Sequence, residues 1–126
     1  MSGIKWLLDT NVVIGLLKQQ TATIALIESH PFDLSQAAVS QITRMELLGF
    51  PGLVQEEEFA ILDLLQNCRI LFIDEAIEQK TIQLRRASHC KLPDAVIAAT
   101  ALVHDLMLLT LDQRLQNLVA QFKADK

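Results

Sequence analysis

Residues 4–17 read IKWLLDTNVVIGLL, and the fold turns on how this stretch is parsed. Residues 4–8 are a short, mostly apolar run of strand length, and a helix follows from about residue 10 to 18. Between them sit Asp9, Thr10 and Asn11, three polar groups inside a segment that otherwise reads as buried. Polar groups buried there without partners carry a desolvation cost. Either they cap the helix and turn the chain, or they also hold something.

Outward from this unit the chain keeps alternating. A second helix over residues 21–29 ends at His30 and Pro31, since proline disfavours helix in the residue before it. A strand at 38–40 precedes a helix at 42–48 that Gly49, Pro51 and Gly52 stop. The helix at 55–67 carries Glu56, Glu57 and Glu58 in its first turn, where the dipole favours them. Then come a strand at 69–73, a polar-faced helix at 75–88, a helix opened by Pro93 and running to about 104, and a strand at 107–110. A short helix and a last strand candidate, 119–122, close the chain. Strands that are continuous apolar runs, alternating with helices, indicate a parallel sheet covered on both faces. The expectation is a three-layer α/β/α arrangement, with residues 1–126 forming a single domain. Such folds place their chemistry at the C-terminal ends of the strands.

Composition narrows the function. The hydrophobic fraction is 51% and mean hydropathy is +0.30, which implies thorough burial or an apolar surface that a partner covers. The longest nearly apolar stretch, 95–103, falls well short of the ~20 residues a membrane-spanning helix needs. Asp9 interrupts the first apolar run and no small-residue cleavage site follows, so a signal peptide is not expected and the location read is cytoplasmic. Cys68 and Cys90 make no disulfide framework, and no ligand spacing turns His89 and Cys90 into a zinc site; both cysteines read as packing residues. His30, His89 and His104 stand near no serine or cysteine nucleophile motif and read as structural. A net charge of −4 argues against a general basic nucleic-acid surface, although carboxylates can still meet phosphate through metal ions.

Four acids stand out. Asp9 follows the first strand and Asp112 follows the strand at 107–110. In SQITRMELLGF, residues 40–50, a turn of about 100° per residue sets Glu46 among Ile42, Met45 and Gly49. In LPDAVIAATALVHD, residues 92–105, Asp94 begins a helix apolar nearly all round and therefore buried on most sides. Each has a plain structural reading. Asp9 or Thr10 caps the first helix, Asp94 after Pro93 suits the helix dipole, and Asp112 sits inside a capping box from Thr110 to Gln113. Glu46, in mid-helix, has no capping duty. Taken together, acids at two strand ends and on two apolar helices are harder to assign to capping alone.

Like charges ~4 Å apart repel by ~4 kcal/mol at an effective dielectric of ~20. Four converging carboxylates must therefore take up protons or bind cations. All-oxygen ligation suits Mg²⁺ or Mn²⁺. Such a site serves phosphodiester hydrolysis, with one ion activating water and a second stabilising the leaving oxygen.

With these residues assembled, LLDTNVVIGLL, the glutamate of SQITRMELLGF, KLPDAVIAATAL and LLTLD together resemble the PIN domain, and more narrowly the VapC toxins of type II toxin–antitoxin systems. The likeness covers essentially the whole chain in order. It implies a PIN-like fold with a central parallel sheet of about five strands, a Mg²⁺- or Mn²⁺-dependent ribonuclease, a homodimer, and inhibition by a cognate antitoxin. Carried across, the catalytic and metal-binding acids are Asp9, Glu46, Asp94 and Asp112, with Thr110 and Asn11 in support. The family's last motif often carries a second acid and an aromatic, where this chain has Gln113, Arg114 and Leu115, which leaves one ion or two open. Lys91 and Arg114 flank Asp94 and Asp112 and are candidate contacts for RNA phosphate; the alternative is ordinary solvated cations.

Other classes share the logic of acids at strand ends. A receiver domain needs an acidic pair after its first strand and a late lysine, and a haloacid-dehalogenase-type phosphatase needs Asp-x-Asp; this chain has Asp9-Thr10-Asn11. A PIN-like interaction module without catalysis is the remaining alternative. The helix at 55–67 with the loop at 50–54 is the candidate partner surface.

Overall fold

The computed structural model describes residues 3–124. Four strands form one parallel sheet: β1 (Trp6–Leu8), β2 (Ala37–Ser40), β3 (Arg69–Leu71) and β4 (Met107–Leu109), in the order β3-β2-β1-β4. Seven helices accompany them among the described residues: α1 (Thr10–Leu17), α2 (Thr21–Glu28), α3 (Gln41–Leu48), α4 (Gln55–Gln66), α5 (Glu75–Ala87), α6 (Leu92–His104) and α7 (Gln113–Ala124). The architecture is the expected α/β class.

Strand alternation sorts the core into two layers. Leu7, Ala38 and Leu108 face Ile77 and Leu84 of α5, the apolar body of α6, and Leu115 and Leu118 of α7. Trp6, Leu8, Ala37, Val39 and Leu109 face the other way, onto Val12, Val13, Leu47, Ile61 and Leu65. Leu7 and Leu8 are fully buried on opposite faces, so each contributes about 1.5–3 kcal/mol relative to exposure. A strand buried on both sides has no polar face to alternate, and this is why residues 6–8 read as a continuous apolar run.

Two local features position the first helix. Gly15 lets α1 approach α2 closely: a Cβ there would lie 1.8 Å from Thr23 Oγ1 and 2.7 Å from Thr23 Cβ. His30, after α2, sets its ring edge-on to Trp6 with centroids 5.5 Å apart, and its Nδ1 lies 3.1 Å from the Leu26 carbonyl oxygen. The structural reading of His30 therefore holds.

The candidate strand at 119–122 is helical instead, within α7. Leu115, Leu118, Val119 and Phe122 recur at helical spacing and pack on the α6 side of the sheet, so the apolar run is one stripe of an amphipathic helix. Among the described residues the sheet consequently has four strands. No described helix is long and apolar enough to cross a membrane.

The topology also fixes where chemistry belongs. From β1 the chain builds outward through β2 and β3, and then returns to add β4 on β1's other side. The strand order reverses between β1 and β4, and the C-terminal ends of these two strands frame the switch-point crevice.

Candidate active site

Asp9 leaves β1 and Thr110 leaves β4, so these residues face each other across the switch point, with the Asp9 N–H donating to the Leu109 carbonyl at 3.0 Å. Asp9 is only 6% exposed and is the N-cap of α1. Its Oδ1 accepts from the Thr10 N–H at 2.7 Å, and its Oδ2 accepts from the Thr110 hydroxyl at 2.6 Å. Burial raises its carboxyl above the ordinary range. The bonds from Thr110 and Thr10 pull the other way, and the charges of Asp94 and Asp112 push it further up.

Thr110 links this residue to the next acid. Its Oγ1 accepts from the Asp112 N–H at 3.0 Å. Asp112 Oδ1 in turn accepts from Arg114 N–H at 2.9 Å and Leu115 N–H at 3.5 Å. Asp112 thus caps α7, and Thr110 is the relay to Asp9 rather than the start of a capping box. Asn11 braces the same turn weakly, its Oδ1 accepting from the Leu111 N–H at 3.4 Å.

Asp94, in the first turn of α6 after Pro93, is half-buried and lines one cavity with Asp112. Burial raises its carboxyl, Asp112 adds to the rise, and Lys91 opposes it. Three carboxylates from three distant stretches of chain thus act on one another at the switch point.

Glu46 departs from the sequence reading. Its helix was expected to present it on an apolar face, yet it is exposed and its neighbour Met45 is 50% exposed. The buried face of α3 runs instead through Thr43 and Leu47. Glu46 still joins the site, because its Oε1 accepts from the Thr10 hydroxyl at 2.7 Å, and Thr10 Oγ1 lies 2.9 Å from Thr43 Oγ1. One hydrogen-bonded path therefore runs Asp112–Thr110–Asp9–Thr10–Glu46. Thr10 and Thr43 were missed as site residues. The available signal was spacing, since Thr43 lies one helical turn before Glu46 and Thr10 follows the strand-end acid.

Lys91 and Arg114 both line the cavity with Asp94 and Asp112. So does His89, which is exposed and lies outside the core, contrary to its structural reading; the loop it occupies carries it past the end of α5. His104, at the end of α6, is exposed as well. Both cysteines are half-buried, and burial raises the Cys68 thiol to about 11.

The donor set is all oxygen, carboxylates and threonine hydroxyls, which suits a hard divalent cation and not zinc on sulfur or imidazole. The repulsion that raises Asp9 and Asp94 is what a cation would relieve. Among the described residues no three His, Cys, Asp or Glu side chains already stand as an ion-binding group. Asp9 and Glu46 are turned onto threonines, while the Asp94 carboxylate accepts no hydrogen bond among the described residues.

Comparison with known proteins agrees with the fold. The PIN domain family model matches residues 6–120. A toxin–antitoxin complex from Klebsiella pneumoniae superposes with a TM-score of 0.73 at 32% identity, over 87% of this chain and 88% of that one. FitAcB from Neisseria gonorrhoeae gives 0.71 at 30% identity, over 91% and 93% of the two chains. VapBC-1 from nontypeable Haemophilus influenzae gives 0.73 at 23% identity over 94% of each, a likeness of fold alone. No curated protein sequence matches the chain closely enough to count as a relative.

Proposed function

The chain belongs to the PIN domain family, and from that premise we propose that it is a Mg²⁺- or Mn²⁺-dependent endoribonuclease, the VapC-like toxin of a cytoplasmic toxin–antitoxin pair. The observation that carries this reading is the convergence of acids at the switch point: one hydrogen-bonded path joins Asp112, Asp9 and Glu46, and Asp94 lines a cavity with Asp112.

Asp9, Glu46, Asp94 and Asp112 would hold one or two ions. A bound divalent ion supplies a nucleophilic water at neutral pH and offsets charge on the phosphate. The chain's own residues supply position. Thr110 fixes Asp9 against Asp112, Thr10 fixes Glu46 against Asp9, and Asn11 steadies the β4–α7 turn. Lys91 and Arg114 attract the RNA backbone beside Asp94 and Asp112. Without such cations a site this acidic would repel its substrate.

The likeness to the Klebsiella complex supports a cognate antitoxin as partner. Exposed Phe50 (65%), Phe59 (61%) and Val54 (54%) on α4 and the loop before it support an apolar partner surface there. A homodimer is part of the same proposal.

The test is incubation of the purified protein with total RNA, with Mg²⁺ or Mn²⁺ and with EDTA. Cutting that requires the ion, leaves 5′-phosphate and 3′-hydroxyl ends, and is lost in a folded Asp94→Asn or Asp9→Asn variant is the expected result. Cutting at the wild-type rate by either variant overturns the mechanism. An inert wild type, with no Mn²⁺-dependent gain in thermal stability, instead favours the interaction module.

A further inference from the structure

The cavity that Asp94 and Asp112 line has a volume of about 500 Å³ and extends between the α5–α6 loop and one face of α7. That is the size of sites that enclose one small organic ligand, ~300–1,000 Å³. Metal and phosphate chemistry at the acids leaves most of it unused.

Its lining is ordered by chemistry. Half-buried Cys90 is the most exposed of its apolar residues, and the buried Leu115 and Leu118 form the floor beneath. The loop wall is held rigidly: the Ser88 N–H and hydroxyl both donate to the Leu84 carbonyl, at 2.9 and 3.0 Å, and the hydroxyl lies 3.4 Å from Cys90 Sγ. The α7 wall presents Arg114, Asn117 and Gln121, spaced i, i+3, i+7 and therefore on one helical face. Asn117 Oδ1 accepts from Gln113 Nε2 at 2.8 Å, which leaves its NH₂ to meet an acceptor. At 1.5 Å per residue Gln121 lies about 10 Å along the helix from Arg114. Lys91 and Arg114 share the cavity with two carboxylates but pair with neither. Within 4.0 Å, the one ion pair among the described residues is Lys123 with Asp105. The cations are left available to an anion from outside.

We propose that this cavity is a nucleotide pocket, in which Lys91 and Arg114 take the phosphate while the base enters against Leu115 and Leu118 and is read by Asn117, Gln121 and His89. The proposal rests on the RNA reading above and adds to it a base preference set beside the cut. Single-stranded RNA is recognised in this way, by unstacked bases packed on apolar or ring faces and hydrogen-bonded along their edges. Amide groups that must give up water to meet a base edge favour the base whose donors and acceptors match theirs.

The decisive experiment does not require turnover. ¹⁵N-labelled full-length protein in EDTA is titrated by NMR with each of the four ribonucleoside 5′-monophosphates, and separately with inorganic phosphate. Saturable shifts of the Asn117 and Gln121 side-chain amides with nucleotides but not with phosphate, together with at least a threefold spread of affinity among the four bases, are expected. The Asn117→Ala/Gln121→Ala variant, altered only at exposed helix positions, weakens the preferred nucleotide about fivefold or more and keeps the inorganic phosphate response. Nucleotide shifts identical to those of inorganic phosphate, or unchanged nucleotide affinity in the double variant, overturn the pocket. Should the protein fail to cut RNA yet titrate as described, the nuclease reading falls while the pocket stands.

Discussion

Replacing Asp94 with Asn should make the metal-free protein more stable while removing the RNA cleavage proposed for it. Asp94 accepts no hydrogen bond among the described residues, so the change costs no partner. It removes a charge that burial and Asp112 both disfavour, with Lys91 the one opposing influence. Like charges that meet at such a solvated site repel by ~1 kcal/mol. The site is half-open to solvent, and the attraction of Lys91 is lost as well, so about 0.5–1 kcal/mol remains. For a chain of this size that is a rise in Tm of about 2–5 °C. The sign with pH follows from the raised carboxyl. A group whose pKa is higher folded than unfolded contributes stability fully below its unfolded value, near ~4, and loses it as pH rises through the folded value. The advantage of Asp94→Asn should therefore be largest at pH 8 and fall to less than half at about pH 4. Thermal melts in EDTA at both pH values measure it. Mn²⁺ should reverse the ranking, because a ligand at 100 times its Kd adds ~2.7 kcal/mol to the form that binds it. A variant that melts at or below wild type in EDTA at pH 8 would refute the electrostatic reasoning.

Two further outcomes test the packing. Gly15→Ala places a Cβ 2.7 Å from Thr23 Cβ, an atom that no side-chain rotation moves. The overpacking cost of ~1–3 kcal/mol should exceed the ~1 kcal/mol gain in helix propensity, so a lowered Tm is expected, and an unchanged or raised one would mean that α1 and α2 separate freely. With its thiol raised to about 11 by burial, Cys68 should react with iodoacetamide at pH 8 roughly 100-fold more slowly in the native protein than in denaturant; equal rates would place it at the surface.

Much of this molecule was legible in its sequence, and what was not has physical causes. The strand, acid and helix of residues 6–17 stood out because a doubly buried strand has no polar face and Asp9 breaks it sharply. Pro93 marked the start of α6 and Gly49 the end of α3. Residues 119–122 read as a strand because an apolar-rich run of that length does not distinguish a period of 2 from one of 3.6; the stripe emerges only with Leu115 and Leu118 included. The helical rotation sets Glu46 among Ile42, Met45 and Gly49, but Leu47 and Leu48 make α3 apolar on other sides as well, and only the packing selects Thr43 and Leu47 as the buried face. The hydroxyl relay through Thr10 was hidden for a different reason: it joins residues 36 positions apart, a distance that local pattern does not span.

Direct titration of Mn²⁺ into the purified protein, followed by the loss of the free-ion paramagnetic resonance signal, goes to the heart of the matter. Saturable binding by wild type that weakens at least tenfold in a folded Asp9→Asn/Asp94→Asn variant is the expected result. Equal affinity in the two proteins would contradict a shared cation site at the ends of β1 and β4.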